Sequence, residues 1–221
     1  MAFSKELTVQ ITQYVYGHLP KEEWYEKNFF PFIQDVELRN RLIVEFKNSR
    51  VIYKIFEGLQ AKNELLLAQI KTQVVMYVSI QEAVINYVLY NFFEKEDVVQ
   101  NMLYQERLCE ISIPIVKKEK LQKYLEHDGK EILTCFKQRK SVDRTKIRYE
   151  KKVLACFELN LIEEKMKDDL INLYSYRNTI HIEAEIKKNL KYDLEMGELA
   201  YRRVEGLSTQ LQESLKVYSN S

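Results

Sequence analysis

Residues 63–93 narrow most sharply what this chain can fold into. Leu66, Ile70, Val74, Tyr77, Val84, Val88 and Phe92 recur near a 3.6-residue period. Apolar residues also spread onto the flanking faces, as in a helix surrounded by other helices. The run 68–93 is the most apolar in the chain, yet it contains Lys71, Gln73, Gln81, Glu82 and Asn86. A membrane span needs about 20 predominantly apolar residues, so these polar groups argue against one. The segment reads instead as the central helix of a bundle. A narrow polar line survives on it: Ser79, Glu82 and Asn86 stand at i, i+3 and i+7 and share one face.

Glycine (5) and proline (3) are scarce among the 221 residues. Both punctuate turns and break helices, so their scarcity favours long helices over a many-turned β-fold. With 46% hydrophobic and 30% charged residues, the chain has the composition of a globular protein with one sizeable core. The expected class is all-α. A helical bundle should occupy 61–221, with a mixed insertion at about 109–148, and an additional N-terminal helical segment at 1–60 should pack on it. Periodicity predicts further helices over 32–59, 97–108, 149–161, 163–182 and 190–217. Residues 109–116 read as extended, because Pro114 opposes helix. Val36, Ile43, Phe46, Ile52 and Phe56 mark the core face of 32–59. Leu194, Leu199, Val204, Leu207, Leu211 and Leu215 mark that of the last helix.

Net charge is +1, from 34 basic and 33 acidic residues, so any nucleic-acid binding needs a local patch. The densest basic run carries Lys137, Arg139, Lys140, Arg144, Lys146, Arg148, Lys151 and Lys152 against Asp143 and Glu150. It reads first as a solvated loop and helix start, and second as a track for an RNA backbone. Cys109, Cys135 and Cys156 fit neither a zinc pattern nor a disulfide framework, and read as reduced thiols of a cytoplasmic protein. His18 and His127 sit in turn-like contexts with no ligand partner at metal spacing. No metal or cofactor is expected. Residues 1–10 lack the apolar centre of a signal peptide, and no membrane association is expected.

One constellation looks chemical. Met166, Leu170, Tyr174, Arg177 and His181 step by 4, 4, 3 and 4, forming one helical stripe. Its first members are apolar, and it continues into an arginine and a histidine. A cation on such a stripe needs a partner, because unpaired buried charge is costly. No acid stands three or four residues from Arg177, so the partner must come from elsewhere. Glu82 on the polar line of 63–93 is the protein candidate, and a phosphate is the ligand candidate, since a guanidinium matches it bidentately. A cation beside His181 favours its neutral ring, which can take a proton from a ribose 2′-hydroxyl while Arg177 stabilises charge on the phosphate. Glu185, four residues beyond His181, could orient the ring. The competing reading is a structural ion-pair cluster with Glu183 and Glu185.

Tyr176-Arg177-Asn178-Thr179-Ile180-His181, at the end of a bundle helix, resembles the HEPN family (higher eukaryote and prokaryote nucleotide-binding domains). Many of its members carry Arg-Asn followed shortly by His. Asn160-Leu161-Ile162, the break after it and residues 170–174 are similar to the family's approach to that motif. Residues 77–83 are similar to its long first core helix. The resemblance covers about 63–93 and 149–215 and leaves 1–60 and 110–148 outside it. It implies a helical bundle, frequent homodimers and, in active members, a metal-independent endoribonuclease. By carry-over Arg177, Asn178 and His181 are catalytic, and Ser79, Glu82, Asn86, Tyr174 and Glu185 line the same cleft toward RNA. By analogy the setting is a toxin–antitoxin or antiviral defence system, with an antitoxin or defence protein as partner. Three residues separate Arg177 from His181, a shorter interval than in the family's catalytic members. Some members bind RNA, nucleotide or a partner protein, so a non-catalytic dimeric module is the alternative. Geometry separates these readings: an Arg177 sealed against Glu82 is structural, whereas an open cleft is functional.

Overall fold

The computed structural model describes every residue except 1, 125–128, 131–132, 180–181, 190 and 220–221. Helix accounts for 71% of the residues and strand for 7%, so the class is all-α. The chain divides into two units, residues 1–94 with 149–221, and residues 95–148.

The first unit is built around α4 (Asn63–Phe92), a helix of 30 residues and so about 45 Å long. Ile70, Val74, Tyr77, Val78, Ile80, Val84, Ile85, Val88 and Leu89 on it are all at most 2% exposed. This spread around the helix is what its apolar pattern demands, and four helices supply the cover. They are α3 (Val36–Gly58), α7 (Tyr149–Glu158), α8 (Glu164–Asn178) and α10 (Leu194–Ser219). On α10 the buried stripe is Met196, Ala200, Val204, Leu207, Leu211 and Leu215, stepping by 4, 4, 3, 4 and 4. Leu194 is exposed, so the stripe begins two residues later than its leucines suggest.

Local chemistry sets the helix ends. Asp35 caps α3 by accepting from the Leu38 N–H (3.0 Å), which starts the helix at Val36 and leaves that valine exposed. With few glycines available, Gln60 and Asn160 take the left-handed conformation that ends α3 and α7, at φ 50° and 55°. Each gives the paired closing bonds of a Schellman turn. Ala61 donates to the Phe56 carbonyl (3.0 Å), and Leu161 donates to the Cys156 carbonyl (2.9 Å).

The N-terminal residues carry α1 (Lys5–Gly17) and α2 (Glu22–Asn28). An aromatic cluster binds the end of α2 to the bundle, with Phe29 4.8 Å from Phe46 of α3 and Phe46 stacked on Tyr201 of α10 at 5.8 Å, and Tyr14 of α1 donates to Glu57 of α3 (2.7 Å). Polar ties fix the remaining helices. Buried Gln81 donates to the Ala200 carbonyl of α10 (3.1 Å), and Arg203 of α10 reaches Asp169 of α8 at 2.6 Å.

The second unit contains α5 (Asp97–Leu103), β1 (Tyr104–Glu110), α6 (Ile115–Tyr124), β2 (Cys135–Ser141) and a 3-10 turn over Arg144–Lys146. The strands pair antiparallel, from Tyr104 opposite Ser141 to Glu110 opposite Cys135. The helix expected to reach residue 108 therefore stops at Leu103. Residues 104–108, read as helix, are strand. Pro114 initiates α6, since its carbonyl accepts from Lys117 (2.8 Å) and its missing N–H costs nothing there.

Leu207 is fully buried in α10, whereas Val36 is 71% exposed. Leu207→Ala should lower unfolding free energy by about 2–5 kcal/mol in urea titration. Val36→Ala should change it by no more than about 0.5 kcal/mol.

Candidate functional site

The C-terminal end of α8 is held by its own capping residue. Thr179 is buried; its hydroxyl donates to the Tyr176 carbonyl (2.7 Å) and lies 2.8 Å from the Tyr192 hydroxyl. Tyr192 donates to the same carbonyl (3.0 Å). One orphan acceptor of the last turn, the Tyr176 carbonyl, is thus satisfied twice over, and Arg177 is fixed one residue before the helix end. The middle of the motif, Thr179, is structural.

From that turn the stripe runs as its spacing requires. Met166, Leu170 and Leu173 are buried, Tyr174 and Arg177 are half-buried, and Asn178 is exposed. Arg177 lies with its guanidinium 5.4 Å from the Tyr174 ring centre. Tyr174 in turn stacks on Tyr149 of α7, centroids 4.5 Å apart and 28° between planes. Arg177 also donates to the Asn178 side chain (3.2 Å), and its nearer contact with Glu82 of α4 is 3.9 Å. That distance is at the limit of an ion pair, and 37% of the Arg177 side chain remains exposed. Arg177 is therefore neither sealed nor free.

Two residues of the site escaped the sequence reading. Lys152, assigned there to a solvated basic run, is 2% exposed. It lies on the buried stripe Tyr149, Lys152, Val153, Cys156 of α7, at i, i+3, i+4 and i+7. That spacing was the available signal, and the surrounding charges masked it. Burial pulls the Lys152 pKa below the ordinary lysine value, and the Glu82 carboxylate partly opposes this. Tyr149 is also buried, its hydroxyl has no hydrogen-bond partner, and burial pushes its pKa well up. Glu82 thus meets Arg177 at 3.9 Å and acts electrostatically on both Lys152 and Tyr149.

The other expected residues divide. Asn86, one turn along α4 from Glu82, is half-buried with its carbonyl oxygen unpartnered. Ser79 is exposed and returns its hydroxyl to the Val75 carbonyl of its own helix (2.8 Å). Glu185, on α9 (Ile182–Lys188), pairs with Lys71 of α4 at 2.7 Å. His181 lies outside the described residues, as does His127.

The run from Lys137 to Arg148 belongs to the second unit, which carries 13 basic and 9 acidic residues, whereas the remainder of the chain carries 21 and 24. Every residue of β2 is exposed. Glu106 and Glu110 share one face of the ribbon with Lys137 and Arg139. The opposite face, with Gln105, Arg107, Phe136, Gln138 and Lys140, has no acid. Cations, amides and an exposed aromatic on one acid-free face suit an unpaired polynucleotide.

In comparisons with known proteins, no family model, no curated protein and no solved structure matches this chain. Among the described residues no helix is long and apolar enough to cross a membrane.

A buried lysine whose pKa is lowered destabilises the fold at neutral pH, because the unfolded state keeps its charge more easily. Stability from this group should therefore rise as pH climbs from the depressed folded value to the ordinary one. Lys152→Met should raise the thermal midpoint at pH 7 by about 2 °C or more, and the gain should shrink as the pH is taken toward the ordinary lysine value. Calorimetric scans of both proteins across that range read the difference.

Proposed function

We propose that this chain is a HEPN-like RNA-acting protein, a metal-independent endoribonuclease that uses Arg177 and His181. The observation that carries the reading is the half-exposed Arg177, oriented on the Tyr174 ring yet only 3.9 Å from its nearest carboxylate. Such a guanidinium keeps donors for a phosphate, and buried Lys152 adds a second positive charge close by. In the reaction, neutral His181 takes the proton from a ribose 2′-hydroxyl, whose oxygen attacks the adjacent phosphorus. The P–O5′ bond breaks, the leaving oxygen gains a proton, and a 2′,3′-cyclic phosphate remains. Arg177 stabilises the charge on the non-bridging oxygens. Asn178 holds Arg177 at 3.2 Å, a positioning role. The acid-free ribbon face supports RNA as the ligand. The reading includes a homodimer with the two motifs facing one cleft, in the cytoplasm, within a toxin–antitoxin or phage-defence system.

The second reading is a non-catalytic dimeric module binding RNA, nucleotide or a partner protein at the same place. It draws on Glu82, which already offers Arg177 a countercharge inside one chain.

The test measures cleavage and binding of a labelled single-stranded RNA in chelator-containing buffer. Arg177→Ala and His181→Ala should each slow cleavage by about 100-fold or more. Arg177→Lys should fall between, since it keeps the charge and loses the fork. Glu82→Gln should tighten RNA binding, because it removes the anion that competes with phosphate. Binding without cleavage in the wild type selects the second reading. Equal behaviour of wild type, Arg177→Ala and His181→Ala overturns both.

A further inference from the structure

We propose that a second ligand site lies between α3, α4 and α10, and that it binds a phosphate group, free or as a phosphomonoester. It shares no residue with the Arg177 cluster and does not depend on the function proposed above. A cavity of about 220 Å³ there is lined by Arg50 and Tyr53 of α3, Gln73 and Tyr77 of α4, and Gly197 and Tyr201 of α10.

Three donor-bearing side chains meet in this cavity, and the Tyr77 hydroxyl among them has no hydrogen-bond partner of full geometry. Tyr77 is fully buried; Arg50 and Gln73 lie against its hydroxyl and act on it, yet no hydrogen bond to it reaches full geometry. Gln73 is 2% exposed. Arg50 has no carboxylate at ion-pair distance among the described residues, and it is held by aromatic faces. Its guanidinium lies 4.7 Å from the Tyr201 ring centre and 5.4 Å from that of Tyr53. Glu198 and Arg202 also line the cavity and pair with each other at 3.0 Å. Gly197 keeps the floor open, since a Cβ there would stand 3.1 Å from the Gln73 amide oxygen.

Buried donors left without partners are rare in native proteins and call for a ligand or water to satisfy them. Burial pushes the Tyr77 pKa up, so the phenol stays protonated and remains a donor at neutral pH. One uncompensated guanidinium, one phenol and one primary amide therefore converge as donors. A tetrahedral oxyanion presents its oxygens in three dimensions to donors arriving from three helices, whereas a carboxylate keeps its acceptor sites in one plane. The aromatic walls hold the guanidinium in place before binding, which lowers the cost of ordering it.

The experiment titrates the full chain with inorganic phosphate and with glycerol 3-phosphate, against acetate and chloride at matched ionic strength, by calorimetry and thermal unfolding. Phosphate or glycerol 3-phosphate should give a saturable rise in the unfolding midpoint, and the tighter of the two identifies the source. Acetate and chloride should not. Tyr77→Phe, which keeps the core volume, should weaken binding about ten-fold or more, as for loss of a hydrogen bond to a charged group. Arg50→Gln should do the same, and Arg177→Ala should leave the response intact. The proposal is overturned by a response equal for acetate, by one unchanged in Tyr77→Phe and Arg50→Gln, or by one lost in Arg177→Ala. The absence of any saturable response also overturns it and leaves the cavity to water.

Discussion

Everything in the larger unit depends on burying α4 on nearly all sides. Apolar residues on it find apolar cover from α3, α7, α8 and α10 and lose water at a gain of about 25 cal/mol per Å². Its polar residues carry the sharper constraint, because each must be satisfied by a neighbour or face something outside the fold. The Gln81 amide donates to the Ala200 carbonyl and ties α4 to α10, while its own carbonyl oxygen has no partner. Lys71 is satisfied by Glu185. Glu82 meets Arg177 only at 3.9 Å, and Gln73 with Tyr77 faces a cavity. Where the bundle completes the bond, the polar residue is architecture. Where the bond stays open beside a cavity or a half-exposed cation, the residue is a candidate for meeting a ligand.

This distinction separates residues that look alike in sequence. Arg203 and Arg177 both lie on bundle helices and both reach an acid on another helix. Arg203 closes on Asp169 at 2.6 Å, with both side chains mostly covered, and ties α10 to α8. Arg177 has a loose contact, an aromatic rest and open exposure. The stacked tyrosines beneath it restrict its motion without using its donors. Lys152 adds a cation whose burial costs stability. A core position filled that way is explained more readily by chemistry than by packing.

The bundle was legible because its signals are periodic. The apolar stripe of 63–93 and the scarcity of glycine and proline point to long helices, and the Arg177 stripe followed from spacing alone. Glu82 was legible as a partner because the polar line on a buried helix has few alternatives. The second unit was less legible, because a two-stranded ribbon exposed on both faces leaves no clean alternation. Residues 104–108 read as helix for that reason. Lys152 was missed because charge density outweighed its place in a four-residue buried stripe. The Arg50 cavity is built from α3, α4 and α10, and no local pattern unites residues 50, 77 and 197.

In the proposed reaction, Arg177 and its surroundings act on a phosphate of RNA through the ribose hydroxyl. The most direct test follows the ends of the products from one defined RNA, and compares it with the same strand carrying a single 2′-deoxy nucleotide at the cleaved position. The account predicts 2′,3′-cyclic phosphate ends from the first and no cleavage at the substituted position in the second. Cleavage of the deoxy-substituted strand at the same place and rate would contradict it.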